Sequence, residues 1–428
     1  MRKIACVFSF RESSWISCQK IVYNIHKAYE ALPDVELHNF HYGIEALSGD
    51  LHDIVEAILK LNPDEIVIMD HKPHPVHFMK FLLPYYEGRK KPRIIFHVFG
   101  DFTLYYLEWA RLGQLMKDFP VEFLVASDRQ KILIDRFVEP HHEARVFPFP
   151  VRREEFYFDP EERVRQRREW GVGEDEIVFT FTGRISRQKR IYQLLKLFHE
   201  ALQTDASRSA HLIIYGLPDH VGDHFMNIWE NENEYFRRVH RLYTSLPEST
   251  RSRIRFMGNV SNSELRPVYA GADFLVNISV HNDEDYGMSV AEAQMCGLPS
   301  ILTDWGGLAS FEHADLPQAT RFIPVQIGRA SKVIAKAEVV KALLEVIRGQ
   351  RRVNRDELVE KSRSRFSVEA AVPKLRAVLE GETRKFVTLS ELHNYVAKRI
   401  SFSLPIYMNR KGIHPVYRKI YSAYVRNP

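Results

Sequence analysis

Over the first 150 positions, short apolar runs rich in β-branched and aromatic residues recur between stretches whose apolar residues follow i, i+3, i+4 spacing. The runs are Lys3–Phe10, Val35–Tyr42, Glu65–Asp70, Arg93–Gly100, Val121–Ser127 and Ala144–Val151. Strands of this kind alternating with amphipathic helices predict a parallel sheet with helices on its faces. A second series follows: Ile177–Thr182, His211–Gly216, Arg253–Gly258, Asp273–Ser279, Ser300–Thr303 and Arg321–Val325. The stretch between them, RREEFYFDPEERVRQRREWGVGEDE, is too charged for core and carries Pro160, Gly171 and Gly173, so it reads as an interdomain connection. The expected fold class is α/β with two Rossmann-like doubly wound domains facing a central cleft. The expected boundaries are 1–160, 161–365 and a C-terminal crossover and tail at 366–428. In such sheets ligands bind at the carboxyl ends of strands, so motifs just after strands carry the functional signal.

Composition narrows the class. A chain of 428 residues exceeds what one hydrophobic core usually supports, and 45% hydrophobic with 27% charged residues excludes long disorder or fibrous repeats. Cys6, Cys18 and Cys296 are far apart without Cys-x-x-Cys spacing, which argues against a disulfide framework or zinc cage and for a cytoplasmic setting. The apolar start Ile4–Phe10 stops at Arg11 and Glu12, so it reads as a strand rather than a signal peptide. No run approaches the roughly 18 apolar residues that span a bilayer, leaving only peripheral contact with a membrane face. Neither G-x-G-x-x-G nor G-x-x-x-x-G-K-[ST] occurs, which disfavours a dinucleotide dehydrogenase or P-loop ATPase.

Two segments carry chemistry. After the strand 177–182 comes Gly183-Arg184-Ile185-Ser186-Arg187-Gln188-Lys189, then an amphipathic helix with Ile191, Leu194, Leu195, Phe198 and Leu202 on one face. Gly183 permits a tight turn and Ser186 is placed to cap the helix. Arg184 and Lys189 beside a helix N-terminus suit an anion such as a diphosphate, although a solvated basic turn explains them equally well. After the strand 274–278 comes HNDEDYGMSVAEAQMCGLPS, placing Glu284 in a loop and Glu292 eight positions later on a helix. Backbone donors from Asp285, Tyr286, Gly287, Met288 and Ser289 would face a ligand while Glu284 accepts from sugar hydroxyls. Glu292 also fits a plain capping box, Ser289-Val290-Ala291-Glu292. The Trp305-Gly306-Gly307 turn suits either a loop or a ligand wall.

Together, G-R-x-x-x-x-K and E-x7-E followed by a strand and Gly-Gly resemble the donor site of retaining GT-B glycosyltransferases of family 4, most strongly between Ile177 and Leu308. The resemblance implies a metal-independent hexosyltransferase that moves a sugar from a nucleotide diphosphate sugar to a glycan or glycolipid hydroxyl in cell-envelope polysaccharide synthesis. By that resemblance Arg184 and Lys189 neutralise the diphosphate, Glu284 binds the transferred sugar, Glu292 binds the ribose and backbone near Val260 meets the base. His97, after Arg93-Ile94-Ile95-Phe96, looks like the family's active-site histidine. No tightly bound cofactor is expected, only the co-substrate, first a UDP-sugar and next a GDP-sugar. The loop after the first strand lacks the family's usual Gly-Gly, reading Ser9-Phe10-Arg11-Glu12, so Arg11, together with His71, is an acceptor-side candidate. The competing readings are a non-catalytic sugar-nucleotide binding or scaffold protein and a sugar-nucleotide epimerase.

The tail is the basic part of the chain. Nine Lys or Arg stand against Glu382 and Glu391 between Gly381 and Pro428, interleaved with Phe386, Tyr395, Phe402, Tyr407, Tyr417, Tyr421 and Tyr424. Three readings remain open: packing on the first domain, an anionic membrane surface, and nucleic acid. The last lacks any accompanying motif and is not the expectation.

Overall fold

The computed structural model describes all residues except 10–15, 43–47, 70–74, 102–111, 113, 114, 117, 137–143, 206, 208, 220–230, 232, 330, 383–407, 410, 411, 414, 427 and 428. The chain divides into two units, one made of Met1–Pro150 with Arg365–Ser401 and the other of Val151–Ser364 with Phe402–Pro428. Each is built on a six-stranded parallel sheet, and the architecture is the two-domain GT-B fold.

In the first unit the strands are β1 (Arg2–Ser9), β2 (Val35–Tyr42), β3 (Glu65–Ile68), β4 (Arg93–Val98), β5 (Val121–Val125) and β6 (Arg145–Val146). They lie in the order β2-β1-β3-β4-β5-β6, so the strand order reverses between β1 and β3. Helices α1 (Ile16–Glu30), α2 (Ser48–Leu61), α3 (Pro75–Leu82) and α4 (Asp128–Asp135) supply the crossovers. The sheet interior reads Ile4, Cys6, Val67, Ile95 and Leu124, all buried, as expected for strands covered on both faces.

In the second unit, α5 (Pro160–Glu169) precedes β7 (Ile177–Thr182), α6 (Ile191–Thr204), β8 (Ala210–Tyr215), α7 (Glu234–Ser245), β9 (Ile254–Gly258) and α8 (Asn262–Gly271). Then come β10 (Phe274–Asn277), α9 (Met288–Met295), β11 (Ser300–Thr303) and β12 (Thr320–Ile323). The order β12-β11-β10-β7-β8-β9 reverses between β10 and β7. That reversal is the topological switch point, where loops leaving adjacent strands diverge and open a crevice. A hairpin, β13 (Val325–Ile327) with β14 (Lys332–Ile334), precedes α10 (Lys336–Ile347) and α11 (Arg355–Phe366).

Two expectations change. The charged stretch 152–176 is not a linker: α5 packs on α8, and Arg167 is buried with its guanidinium donating to the Gly271 carbonyl and Asp273, both at 3.1 Å. Arg163 reaches the Ala270, Gly271 and Ala272 carbonyls at 3.1–3.3 Å, and Arg355 also donates to Ala270 and Ala272. Three guanidinium groups thus gather on the negative C-terminal end of α8, where cations are favoured. The charge of these groups is hydrogen-bonded to backbone and carboxylate oxygens rather than solvated, which composition does not reveal.

The tail also divides. Helix α12 (Val368–Glu380) packs against α1, and its terminal carbonyls accept from Arg2 Nη1 (Leu379 O, 2.6 Å) and from the buried Arg93 (Gly381 O, 3.0 Å). The last residues instead join the second unit through β15 (Met408–Asn409), β16 (Gly412–Ile413) and α13 (Pro415–Tyr421), where Tyr417, Tyr421 and Tyr424 are buried. Packing, the first of the three readings, therefore accounts for these three tyrosines, but in the second unit rather than the first. Phe386, Tyr395, Phe402 and Tyr407 lie outside the described residues.

Candidate functional site

The two motif segments leave β7 and β10, the strands on either side of the second sheet's switch point. The β7 exit is tight. Gly183 sits at φ +147°, and a Cβ placed on Gly216 at the end of neighbouring β8 would lie 1.8 Å from the Gly183 carbonyl oxygen, so only glycine fits there. The following turn is tied to the β8 exit by Ile185 N–H donating to Leu217 O (2.8 Å) and Asp219 N–H to Ile185 O (3.2 Å).

Helix α6 begins at Ile191, five residues later than Ser186, and its N-cap position is Arg190 in the left-handed region at φ +58° with no side-chain cap. Ser186 therefore does not cap α6. Its hydroxyl is buried without a hydrogen-bond partner among the described residues.

The β10 exit is a folded loop rather than an open one. Ser279 N–H donates to Asn277 Oδ1 (3.0 Å), Ser279 Oγ to the Gln188 carbonyl (3.1 Å), and Thr303 Oγ1 to the Ser279 carbonyl. Asp283 N–H donates to His281 Nδ1 at 3.2 Å. Gly307 N–H donates to Glu284 O at 2.8 Å, and a Cβ on Gly307 would stand 2.1 Å from Asp285 O, so the Gly-Gly turn exists to let two backbones meet. Trp305 is fully buried with Nε1 donating to His281 O (2.8 Å), so it supports the loop from within the core and forms no ligand wall.

These loops bring Lys189 and Glu284, 95 positions apart, into contact: Nζ lies 2.6 Å from Oε2. Glu284 is almost wholly buried. Burial alone would raise its pKa, but the Lys189 ammonium and hydrogen bonds from Lys189 and Ser279 more than offset that, and the net shift is downward. Glu284 is thus a carboxylate held ready as an acceptor. Arg184, on the same turn as Lys189, pairs with Asp219 and donates to Gln188 Oε1 at 3.2 Å.

Glu292 is buried on α9 and accepts from Tyr269 Oη at 3.4 Å, while the Tyr269 hydroxyl is 3.0 Å from Thr182 Oγ1. The capping-box alternative for Glu292 is not realised. Helix α9 starts at Met288, its N-cap is Gly287 at φ +122°, no side chain caps it, and its third amide, Val290 N–H, turns back to the Gly287 carbonyl at 2.9 Å. The capping box forms one helix earlier, at the start of α8, where Ser261 N–H donates to Glu264 Oε2 at 2.8 Å. Val260 lies half-buried in the turn just before it. Asp285, Met288 and Ser289 are half-buried, and Tyr286 is buried.

His97 has a different setting. It is the fifth residue of β4, buried, with Nε2 3.0 Å from Tyr29 Oη and its ring edge-on to Phe147. Nδ1 has no hydrogen-bond partner among the described residues, and burial pushes the ring pKa down to about 3. The expectation that it faces a sugar meets a ring enclosed within its own unit, the environment of a neutral core histidine. Arg11 and His71 lie outside the described residues.

Sequence reasoning passed over Ser279, Asn282, Tyr269 and Lys332. For the loop a signal existed: polar Asn277, Ser279 and His281 alternate with Ile278 and Val280, continuing a strand-like period past the strand's end.

Comparison with known proteins places residues 162–338 on the family model described as glycosyl transferases group 1. The chain is 29% identical over 184 residues to a D-inositol 3-phosphate glycosyltransferase of Geodermatophilus obscurus, a stretch that is 42% of this chain and 37% of that protein. It is 22% identical over 282 residues to the alpha-galactosylglucosyldiacylglycerol synthase of Streptococcus pneumoniae, covering 61% of this chain and 69% of that one. The chain spans about a third of the length of the first curated relatives it matches. Among solved structures, Anabaena HepE in complex with UDP shares the fold at a TM-score of 0.62, 14% identity, 89% of this chain and 99% of that one.

Proposed function

We propose that the second unit binds a nucleotide diphosphate sugar and that the chain is a retaining glycosyltransferase of the family 4 type, acting on a glycan or glycolipid hydroxyl. The single observation that carries this reading is the Lys189–Glu284 contact at 2.6 Å across the switch point, between the two segments whose motifs suggested a donor site.

The chemistry follows from charge. Breaking a glycosyl phosphate bond leaves positive charge on the sugar ring and negative charge on the departing diphosphate. Lys189 and the uncapped amides at the start of α9 suit that diphosphate, and Arg184 joins them if its guanidinium turns from Asp219. Glu284, already ionised, exchanges its ammonium partner for sugar hydroxyls when the donor enters. Glu292 accepts from the ribose, with Tyr269 fixing its orientation, and backbone near Val260 meets the base. Front-face attack by the acceptor hydroxyl, with its proton passing to the leaving phosphate, needs no protein nucleophile and no metal. The two glutamates serve different parts of the donor and are not a hydrolase pair. His97 is not assigned a step.

A UDP-sugar is the first donor to try, since the HepE structure named above holds UDP and a further HepE structure holds UDP-glucose, and a GDP-sugar is the second. Cell-envelope polysaccharide synthesis at a membrane face is the setting the proposal favours. A thermal-shift screen with UDP, GDP, ADP and their sugar conjugates tests the reading, because a ligand that binds only the folded state raises its melting temperature. Stabilisation by one nucleotide that weakens in Lys189→Ala and Glu284→Ala supports it. Binding without transfer to any acceptor indicates the scaffold reading, and conversion of the donor sugar without acceptor indicates an epimerase.

A further inference from the structure

The tail was the most basic part of the sequence and its described tyrosines have no place in the proposed chemistry, yet they sit directly behind the Glu284 loop. Tyr417 Oη donates to Asn282 Oδ1 at 3.0 Å, and the buried Lys332 Nζ donates to the same oxygen at 2.8 Å. The Lys332 ammonium also lies 5.6 Å from the Trp305 ring centroid and 5.9 Å from that of Tyr417. Tyr421 stacks on Trp305 at 6.4 Å and Tyr424 meets it edge-on at 5.5 Å. A Cβ on Gly306 would lie 2.6 Å from Glu284 O and 3.2 Å from the Tyr424 ring, so the tail, the Gly-Gly turn and the Glu284 backbone form one close-packed stack.

The same node reaches the other motif. Arg190, next to Lys189, donates from Nη2 to the Lys332 carbonyl at 3.0 Å. Lys332 therefore holds the Lys189 turn through its backbone and the Glu284 loop through its ammonium. At the far end of the tail, Arg426 makes a bidentate pair with Glu312 (3.0 and 2.8 Å) and approaches Asp304 at 3.1 Å.

We infer that the Tyr417–Arg426 segment is a strap that positions the donor loop, with Tyr417 and Lys332 converging on Asn282 as the contact that sets where Glu284 stands. This rests on the nucleotide-sugar reading for its functional consequence. Tyr417 and Lys332 are positioning residues: they touch the loop from behind and need not touch the donor. A buried amide oxygen that accepts two donors, one of them charged, is held more stiffly than one that accepts either alone.

The test separates the two claims by using two readouts on the full chain. Tyr417→Phe removes one hydroxyl and keeps the ring, so the fold should persist. Amide hydrogen exchange of residues 281–288 without ligand should quicken on the order of fivefold to tenfold, the worth of one net hydrogen bond, while β7 and β8 amides keep their rates. UDP affinity should fall by a similar factor. Arg426→Ala, at the strap's far end, should loosen the same loop to a smaller degree. Unchanged loop exchange in both variants overturns the strap, and a loosened loop with unchanged UDP affinity overturns its positioning role. If the unaltered protein binds no nucleoside diphosphate, the donor reading fails, and the exchange arm still decides whether the strap holds the loop.

Discussion

The two units share a sheet plan, and among the described residues they place their motif side chains in different surroundings. In the second, the loops leaving β7 and β10 are closed by backbone and side-chain hydrogen bonds until Lys189 meets Glu284. In the first, the loops leaving β1 and β3 hold Arg11 and His71, both outside the described residues, and the one described candidate, His97, sits one strand further along in the core. A histidine at a strand end and a lysine after one look equally promising in sequence. Among the described residues, what separates them is that Lys189 is presented by an exit loop closed through glycines and loop-directed hydroxyls, while His97 lies within a strand.

The sharpest way to break this contrast is to strip the charge from each unit. Lys189→Ala should cost on the order of 10²-fold or more in sugar transfer, as expected for removing a preorganised donor at developing charge. His97→Gln should leave transfer within a fewfold of the unaltered protein, measured as kcat/KM with the same donor. Equal losses in both would give the first unit a catalytic histidine after all.

Acid stability gives the next effect. A ring whose folded pKa is held near 3, against about 6.5 when unfolded, binds fewer protons in the native state between those values. Its contribution is therefore present above pH 6.5 and is lost as pH falls toward 3, reaching several kcal/mol by about 1.4 kcal/mol per pH unit. In His97→Gln, denaturant titrations between pH 7 and pH 4 should show a shallower loss of stability. An unchanged slope would place the ring in water.

Gly307→Ala comes next. The added Cβ meets Asp285 O at 2.1 Å, so the loop must shift, costing about 1–3 kcal/mol as overpacking does, with a matching drop in nucleotide affinity. Normal affinity and stability would mean the Gly-Gly turn is loose. The smallest effect is expected for Ser186→Ala: its buried hydroxyl has no partner among the described residues, so stability should change by no more than about 0.5 kcal/mol. A loss of about 1 kcal/mol would restore its reading as a helix cap.

These cases also mark what the sequence could tell. Most strands were legible within a residue or two: the buried runs Ile177–Thr182 and Ser300–Thr303, and the alternating edge strand Val35–Tyr42, have the expected bounds, whereas the run Ala144–Val151 yields only the two-residue strand Arg145–Val146. The contact between the two motifs depends on β7 and β10 being neighbours at the switch point, a strand order that the apolar runs alone do not give. Misreadings came where a polar residue had an unforeseeable partner. Arg167 looked solvated because the carbonyls it holds belong to a helix about a hundred positions away. Lys332 and Tyr417 sit 50 and 135 positions from the asparagine they share, and no local pattern encodes that meeting. Ser289 and Glu292 had the spacing of a cap, but Gly287 ended the loop first and the glutamate turned to Tyr269.

The most direct measurement is a calorimetric titration of the full chain with UDP, then GDP and ADP, beside Lys189→Ala. Saturable binding of one of them, weakened at least tenfold in the variant, is the expected result. A folded protein that binds none of the three, or binds one with the same affinity after Lys189 is removed, would contradict the assignment of the second unit as the donor site.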